Sequence, residues 1–473
     1  MFQIAIFFAQ RSFGAPLAAI TLAALALRLA AARGDLWLDE IWSLQLISDL
    51  PGPLDIVLGL PNDNNHILNS LWLWAVGAQA PPLLLRLQSI LCGTAAVPVA
   101  ALLARRTMGA RAGLIAATTI AFGYIFVVYS SEARGYAGLI LCALLCLLFA
   151  DQWLDEPTQE PALQRFALVG AIGMFCHLTM LLPLALMCAA ATWHLLRTDK
   201  RPWSAIARLA SAATLAVLPA LACLAISAWR SMSLIRGHQN DFFLWQLTTG
   251  LGDLARFTLG LPQDWSLTLC ASLMGLIALA AIWGADARKR ALLCAVFIGF
   301  PLAAIVAHIP NVGFARFHLF MGLVLALALA GLLSALSQRR LWLACALGGL
   351  MLAGQAMLLT TLLGDGRGQP SAAVAMMEAD GPAQVASNMP REAIRLLRFY
   401  QRDALLTPAE PDCANPPRWQ LIFVAQGWYG EPLGQQKPPF GPPTCPHAYE
   451  RVGSWPTAPL TGSRLDLYRI LTL

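Results

Sequence analysis

Two adjacent carboxylates, Asp39 and Glu40, stand in Arg33-Gly-Asp-Leu-Trp-Leu-Asp39-Glu40, the first long polar segment after the opening hydrophobic stretch. A second polar cluster, Asn62-Asp-Asn-Asn-His66, follows a short apolar run. Acids at the mouth of a membrane span are costly unless they are solvated, paired or used in chemistry. The plain alternative is a solvated helix start, since Asp at a cap and Glu in the first turn are favoured there.

Three further places carry groups of the same kind. Glu132, Arg134 and Tyr136 lie in Ser130-Ser-Glu-Ala-Arg-Gly-Tyr136, His177 separates two short apolar runs, and Arg316 lies in Gly313-Phe-Ala-Arg-Phe-His318. Glu132 and Arg134 could be a surface ion pair worth little. His66 and His177 could be ordinary polar residues at helix ends. Arg316 is harder to set aside, because it falls between the uncharged runs 291–315 and 317–338. A guanidinium there wants an anion, the alternative being a side chain that snorkels to the interface.

Composition says what must position these groups. The 473 residues are 58% hydrophobic and only 12% charged, too little charge to cover a soluble surface. The runs 112–131, 209–229, 265–285, 291–315, 317–338 and 341–364 each lack Asp, Glu, Lys and Arg. Each can cross a hydrocarbon core about 30 Å thick, and must do so as a helix because lipid offers the backbone no hydrogen bonds. Arg28 interrupts the opening segment and no cleavage site precedes a soluble domain, so that segment reads as a retained first span.

Clustered positives at 105–111, 197–208, 288–290 and 339–340 mark the cytoplasmic connections. The net charge of +6 is therefore a topology signal, and no nucleic-acid partner is implied. If 66–80 crossed the membrane, Arg105 and Arg106 would fall outside. That stretch, with its tryptophans and Pro81-Pro82 boundary, is expected to be a helix lying in the outer interface.

The resulting map is an α-helical polytopic protein of about eleven spans, near 12–32, 84–104, 111–130, 134–150, 164–178, 179–196, 208–228, 265–284, 291–308, 315–335 and 341–363. Its N-terminus is cytoplasmic, its first outer loop is 33–83, and its membrane domain covers 1–363. The pair 164–178 and 179–196 shares one uncharged stretch, and a single span plus a re-entrant piece is the alternative. Residues 364–473 change character, with ten of the 32 basic residues and much Pro and Gly. Apolar clustering at 383–387, 419–425 and 465–470 predicts strands, and 391–400 has helical spacing. A small periplasmic α/β domain is expected. Nine of the eleven cysteines lie in predicted spans, whereas Cys413 and Cys445 lie in the tail, where an oxidising compartment would favour a disulfide between them.

In this order the motifs resemble membrane glycosyltransferases of the GT-C type. The residues that carry the likeness are Leu38-Asp39-Glu40, the His66 helix, Arg86 before Leu-Gln-Ser-Ile, the turn at 102–109, Ser-Ser-Glu-Ala-Arg-Gly-Tyr at 130–136, His177 and Arg316-Phe317. The branch most resembled is the bacterial one related to protein O-mannosyltransferases and the lipid A aminoarabinose transferase, over about residues 12–340. One departure is His66-Ile-Leu-Asn69, where members of that family often have His-Pro-Pro.

The resemblance implies a sugar donor carried on a polyprenyl phosphate and a hydroxyl acceptor, meeting at the periplasmic face of a bacterial inner membrane. Asp39 is then the general base of an inverting displacement, with Glu40 and Glu132 orienting it, the acceptor or a metal. Arg316 and Arg134 are the expected phosphate ligands, with Arg230, Arg236 and His238 as further candidates. His66, Tyr136 and His177 would line the substrate site. A divalent metal ion is left open, since no tight ligand spacing occurs. The competing classes are a lipid or sugar transporter, which would show mid-span ionisable residues and inverted repeats, and a non-enzymatic scaffold.

Overall fold

A computed structural model describes residues 2–62, 64–158, 160–232, 242–410, 415–425, 448–455 and 463–471. Cys413, Cys445, Arg236 and His238 lie outside the described residues.

The chain is a multi-pass helical membrane protein with a small C-terminal sheet domain. Nine described helices are long and apolar enough to cross a bilayer. They run from Phe13–Ala31 through Leu87–Met108 and Tyr136–Asp155 to Leu341–Gly364. The two other expected passes are helical but shorter or broken. Glu160–Cys176 covers one, and the stretch expected at 111–130 splits into Ala110–Phe122 and Tyr124–Tyr129. The boundary between 164–178 and 179–196 falls at His177, where two helices meet.

The split at Gly123 frees backbone groups that lipid could not satisfy. Arg28, wholly buried, donates to the carbonyls of Ala121 and Ile120 at 3.1 and 3.0 Å. Gln355 accepts the Tyr124 N–H at 2.6 Å and donates to Thr258 O at 2.9 Å. With its ends satisfied, the broken pass turns the chain at 130–135 into the interior.

Exposed tryptophans mark two levels on the bundle. Trp193, Trp203, Trp283 and Trp342 lie near the basic connections, and Trp74, Trp229, Trp245 and Trp265 near the polar motifs. That is the distribution expected of rings seated at two membrane–water boundaries.

Arg86 begins the helix that ends at Met108, a rise of about 33 Å for 22 residues. Its guanidinium donates to Ala32 O at 2.8 Å and Asp35 O at 2.6 Å. The chain therefore returns at Arg86 to the face it left at Ala32. Helix Ile67–Val76 has ten residues, a rise of about 15 Å, too short for a hydrocarbon core about 30 Å thick. At the far end, Arg106 and Arg288 both pair with Asp151 and Asp155, tying the basic connections together.

Among the described residues the tail holds five strands: β1 Ala383–Ser387, β2 Leu406–Pro408, β3 Trp419–Ala425, β4 Tyr449–Trp455 and β5 Ser463–Ile470. They form one sheet in the order β2-β1-β3-β5-β4, parallel at β2-β1-β3 and antiparallel at β3-β5-β4. Its apolar core is continuous with the first loop, since Leu36, Ile41, Leu44 and Leu73 share a cluster with Val374, Leu396, Trp419 and Leu467.

Candidate active site

The acidic pair opens helix Leu38–Ile47, as a cap position would suggest, yet it is not a solvated start. Glu40 is wholly buried. Its Oε1 accepts Arg86 Nε at 2.8 Å and the Ala133 N–H at 2.7 Å, and its Oε2 accepts Arg86 Nη2 and the Trp37 N–H, both at 2.7 Å. Burial opposes ionisation, but Arg86, Arg367 and the Ala133 N–H outweigh it and hold the carboxyl below the ordinary range.

Asp39 is the neighbour left open, with its side chain 26% exposed. Arg134 Nη1 lies 2.6 Å and Arg316 Nη1 3.4 Å from its Oδ2. Its Oδ1 accepts no hydrogen bond among the described residues. Burial again opposes ionisation, and Arg134, Arg316 and Arg395 together pull the pKa below the usual value.

The loop that presents Arg134 is held from every side. Asn69 donates to Ala133 O at 2.9 Å and Ser89 to Arg134 O at 3.0 Å. Arg134 also donates to Asn64 Oδ1 at 2.8 Å and lies over the Tyr136 ring at 4.9 Å. Gly135 is required by close approach, because a Cβ there would come within 1.8 Å of Cys176 O.

His66 stacks on His177 with ring centroids 4.3 Å apart, and Tyr136 tilts against His177 at 4.4 Å. Burial, then His177, Arg134 and Arg316, push the His66 pKa well below its ordinary value, so the ring is neutral near pH 7. Glu132 is buried and pairs with Arg367, a residue of the segment leading into the tail. Burial raises its pKa while Arg367 pulls it back.

Asp39, Glu40, His66, Glu132, Arg134, Tyr136, His177 and Arg316 thus meet at one end of the bundle. Arg230 instead pairs with Asp55 at 4.0 Å. Sequence reasoning missed Asn64, Asn69, Ser89 and Arg367. Asn64 had a signal, a polar run before an apolar helix, whereas Asn69, inside that helix, and Arg367 had none. Among the described residues no three His, Cys, Asp or Glu side chains converge as a metal site. A cavity of about 430 Å³, walled by Leu147, Ala190, Val324 and Ala328, lies at the opposite end, beside Arg288.

No family model and no curated protein matches the sequence. Among solved structures, ArnT from Cupriavidus metallidurans in the apo state aligns over 97% of this chain and 98% of its own, with 12% identity and a TM-score of 0.54. The same protein bound to undecaprenyl phosphate gives a TM-score of 0.43 at 13% identity, over 96% of this chain and 98% of its own. The Archaeoglobus fulgidus oligosaccharyltransferase in complex with Zn and sulfate gives 0.49 at 13% identity. That alignment covers 83% of this chain, which spans only 62% of the oligosaccharyltransferase. The fold assignment rests on apo ArnT alone: this chain has the GT-C-type fold of membrane glycosyltransferases.

Proposed function

We propose that the protein transfers a sugar from a polyprenyl-phosphate carrier to a hydroxyl acceptor, with Asp39 as general base and inversion at the anomeric carbon. The carrying observation is an imbalance of charge. Glu40 with Arg86 and Glu132 with Arg367 are closed buried pairs, leaving two guanidiniums, Arg134 and Arg316, on one carboxylate oxygen. A site of low dielectric with one excess positive charge favours an anion, and a lipid-linked phosphate supplies it.

In this reading the donor phosphate draws Arg316, the longer and more exposed contact, and Arg134 away from Asp39. The freed carboxylate takes the acceptor proton as the acceptor oxygen bonds to the anomeric carbon. The carbon–oxygen bond to phosphate breaks, and the two guanidiniums hold the leaving anion. His66, Tyr136 and His177 form the wall against which the sugar lies. Glu40 fixes the helix that carries Asp39.

A divalent cation would be held by Asp39, whose Oδ1 accepts no hydrogen bond among the described residues. It would add charge stabilisation, and no step above depends on it. We place the site at the periplasmic face of a bacterial inner membrane and the basic connections in the cytoplasm. Membrane-impermeant thiol labelling of cysteines introduced near Glu132 and Arg105 tests this: labelling at 105 from outside would reverse the orientation.

The test of function is Asp39→Asn in purified, folded protein. Transfer from a polyprenyl-phosphate sugar should fall at least ~100-fold, the scale of general-base loss. Turnover close to that of the parent would remove Asp39 from the mechanism.

A further inference from the structure

We propose that Arg367 is a positioning residue of the active site, the point through which the C-terminal domain holds the Glu132 loop in its working geometry. The proposal goes beyond the reaction assigned above and rests on it only for the activity arm of its test.

Arg367 lies just after the last span, where the chain leaves the bundle for the sheet domain. An arginine there would ordinarily face water or headgroups. Here the guanidinium is wholly buried and turned back into the bundle. Nη1 donates to Glu132 Oε1. Nη2 donates to Val128 O at 2.7 Å and to Ser131 Oγ at 2.8 Å. One side chain therefore grips the end of the broken span, the serine after it and the buried acid.

The same domain grips the other acid-bearing segment. Tyr400 Oη accepts the Leu36 N–H at 2.9 Å and donates to Leu36 O at 3.2 Å. The Ser371 N–H donates to Asp35 Oδ2 at 2.8 Å, and Arg395 lies over the Trp42 ring at 4.5 Å. Because the first loop and the tail share one apolar core, these contacts are part of one packed unit. The Glu132 loop, the Asp39 helix and the tail thus form one frame, and Arg367 is its only wholly buried ion pair between the tail and the motif loop among the described residues.

The electrostatics give the frame a measurable signature. Glu132 is buried, and a buried carboxylate without a cation takes up a proton instead of keeping its charge. Removing Arg367 should raise the pH at which Glu132 ionises and loosen residues 128–136 together.

The experiment compares Arg367→Met and Arg367→Lys with the parent, all full-length in detergent or nanodiscs. Hydrogen–deuterium exchange in 128–136 should be faster in Arg367→Met while the spanning helices stay unchanged. Transfer should fall about 100-fold, the scale for displaced catalytic groups. Arg367→Lys, which keeps a cation beside Glu132, should recover most of both effects. Unchanged exchange in Arg367→Met would overturn the proposal. So would equal losses in Arg367→Met and Arg367→Lys, the result of a purely structural residue. If the parent transfers no sugar, the function assigned above fails, and the exchange arm still decides the role of Arg367.

Discussion

Glu40 accepts the backbone N–H of Ala133 at 2.7 Å, and their chain neighbours, Asp39 and Arg134, form an ion pair at 2.6 Å. The two contacts are consecutive rungs between the acidic helix and the motif loop. The buried rung sets the register, and the open rung carries the groups to which the proposed transfer assigns the chemistry. Two adjacent acids therefore have different work, which their sequence alone does not divide.

The buried rung depends on Arg86, so Arg86→Met should lower stability by about 3–5 kcal/mol, the cost of leaving a buried charge without its partner. Thermal unfolding in detergent measures it. Because the folded Glu40 pKa is depressed, its contribution is complete above the unfolded carboxylate value of about 4.3 and is lost as pH falls through the folded value. Glu40→Gln should flatten that acid-side loss.

Arg316→Lys keeps one charge but loses the fork that matches phosphate oxygens, so binding of a polyprenyl phosphate should weaken, and Arg316→Ala should weaken it further. Loss of one charge-assisted contact corresponds to about 1.5–3 kcal/mol. Fluorescence titration of the folded variants reads the order. Equal affinity in Arg316→Ala and the parent would make Arg316 an interface anchor only.

The tail shows what was legible and what was not. The three inner strands, β1, β3 and β5, were readable because apolar residues cluster or alternate along them. The two edges, β2 and β4, were not, because edge strands are short, as in Leu406–Pro408, or polar, as in Tyr449–Trp455. Helix Leu244–Leu259 escaped for a related reason, since its charged face hides it from a search for uncharged runs. In the site, residue types and their gathering at one face were legible. Partner choice was not, because Arg367 finds Glu132 across 235 positions and no local pattern encodes such a pairing.

His66 is expected to stay neutral through the physiological range, since burial, His177 and the two arginines all disfavour its charged form. Its ring signals should show no titration between about pH 5 and 8, where a free imidazole would titrate near 6.5. A midpoint in that window would mean that the stack with His177 opens in solution.

Metal removal should have little effect, because in the proposed reaction Arg134 and Arg316 already supply positive charge where the leaving phosphate develops. Transfer after chelation and gel filtration should remain within about threefold of the untreated rate, well short of the ~100-fold attached to the base. A loss restored by one divalent ion would instead give the metal a part in transfer.

The final expectation concerns the proposed base, Asp39. With Arg134 and Arg316 on its Oδ2, Asp39 in the free protein has a pKa below the ordinary carboxylate value, which makes it a weak base. A donor phosphate competes for both guanidiniums, and each one drawn away removes stabilisation of the carboxylate, so the pKa must rise when donor binds. The profile of kcat/KM reports groups of the free enzyme, and that of kcat reports the bound complex. The acid limb attributable to Asp39 should therefore lie at higher pH in kcat than in kcat/KM. In Arg316→Ala the free-enzyme limb should move up toward the bound one, because one of the two cations is already gone. Coincident limbs in the parent would mean that the donor leaves the arginines on Asp39, and the phosphate would need another seat.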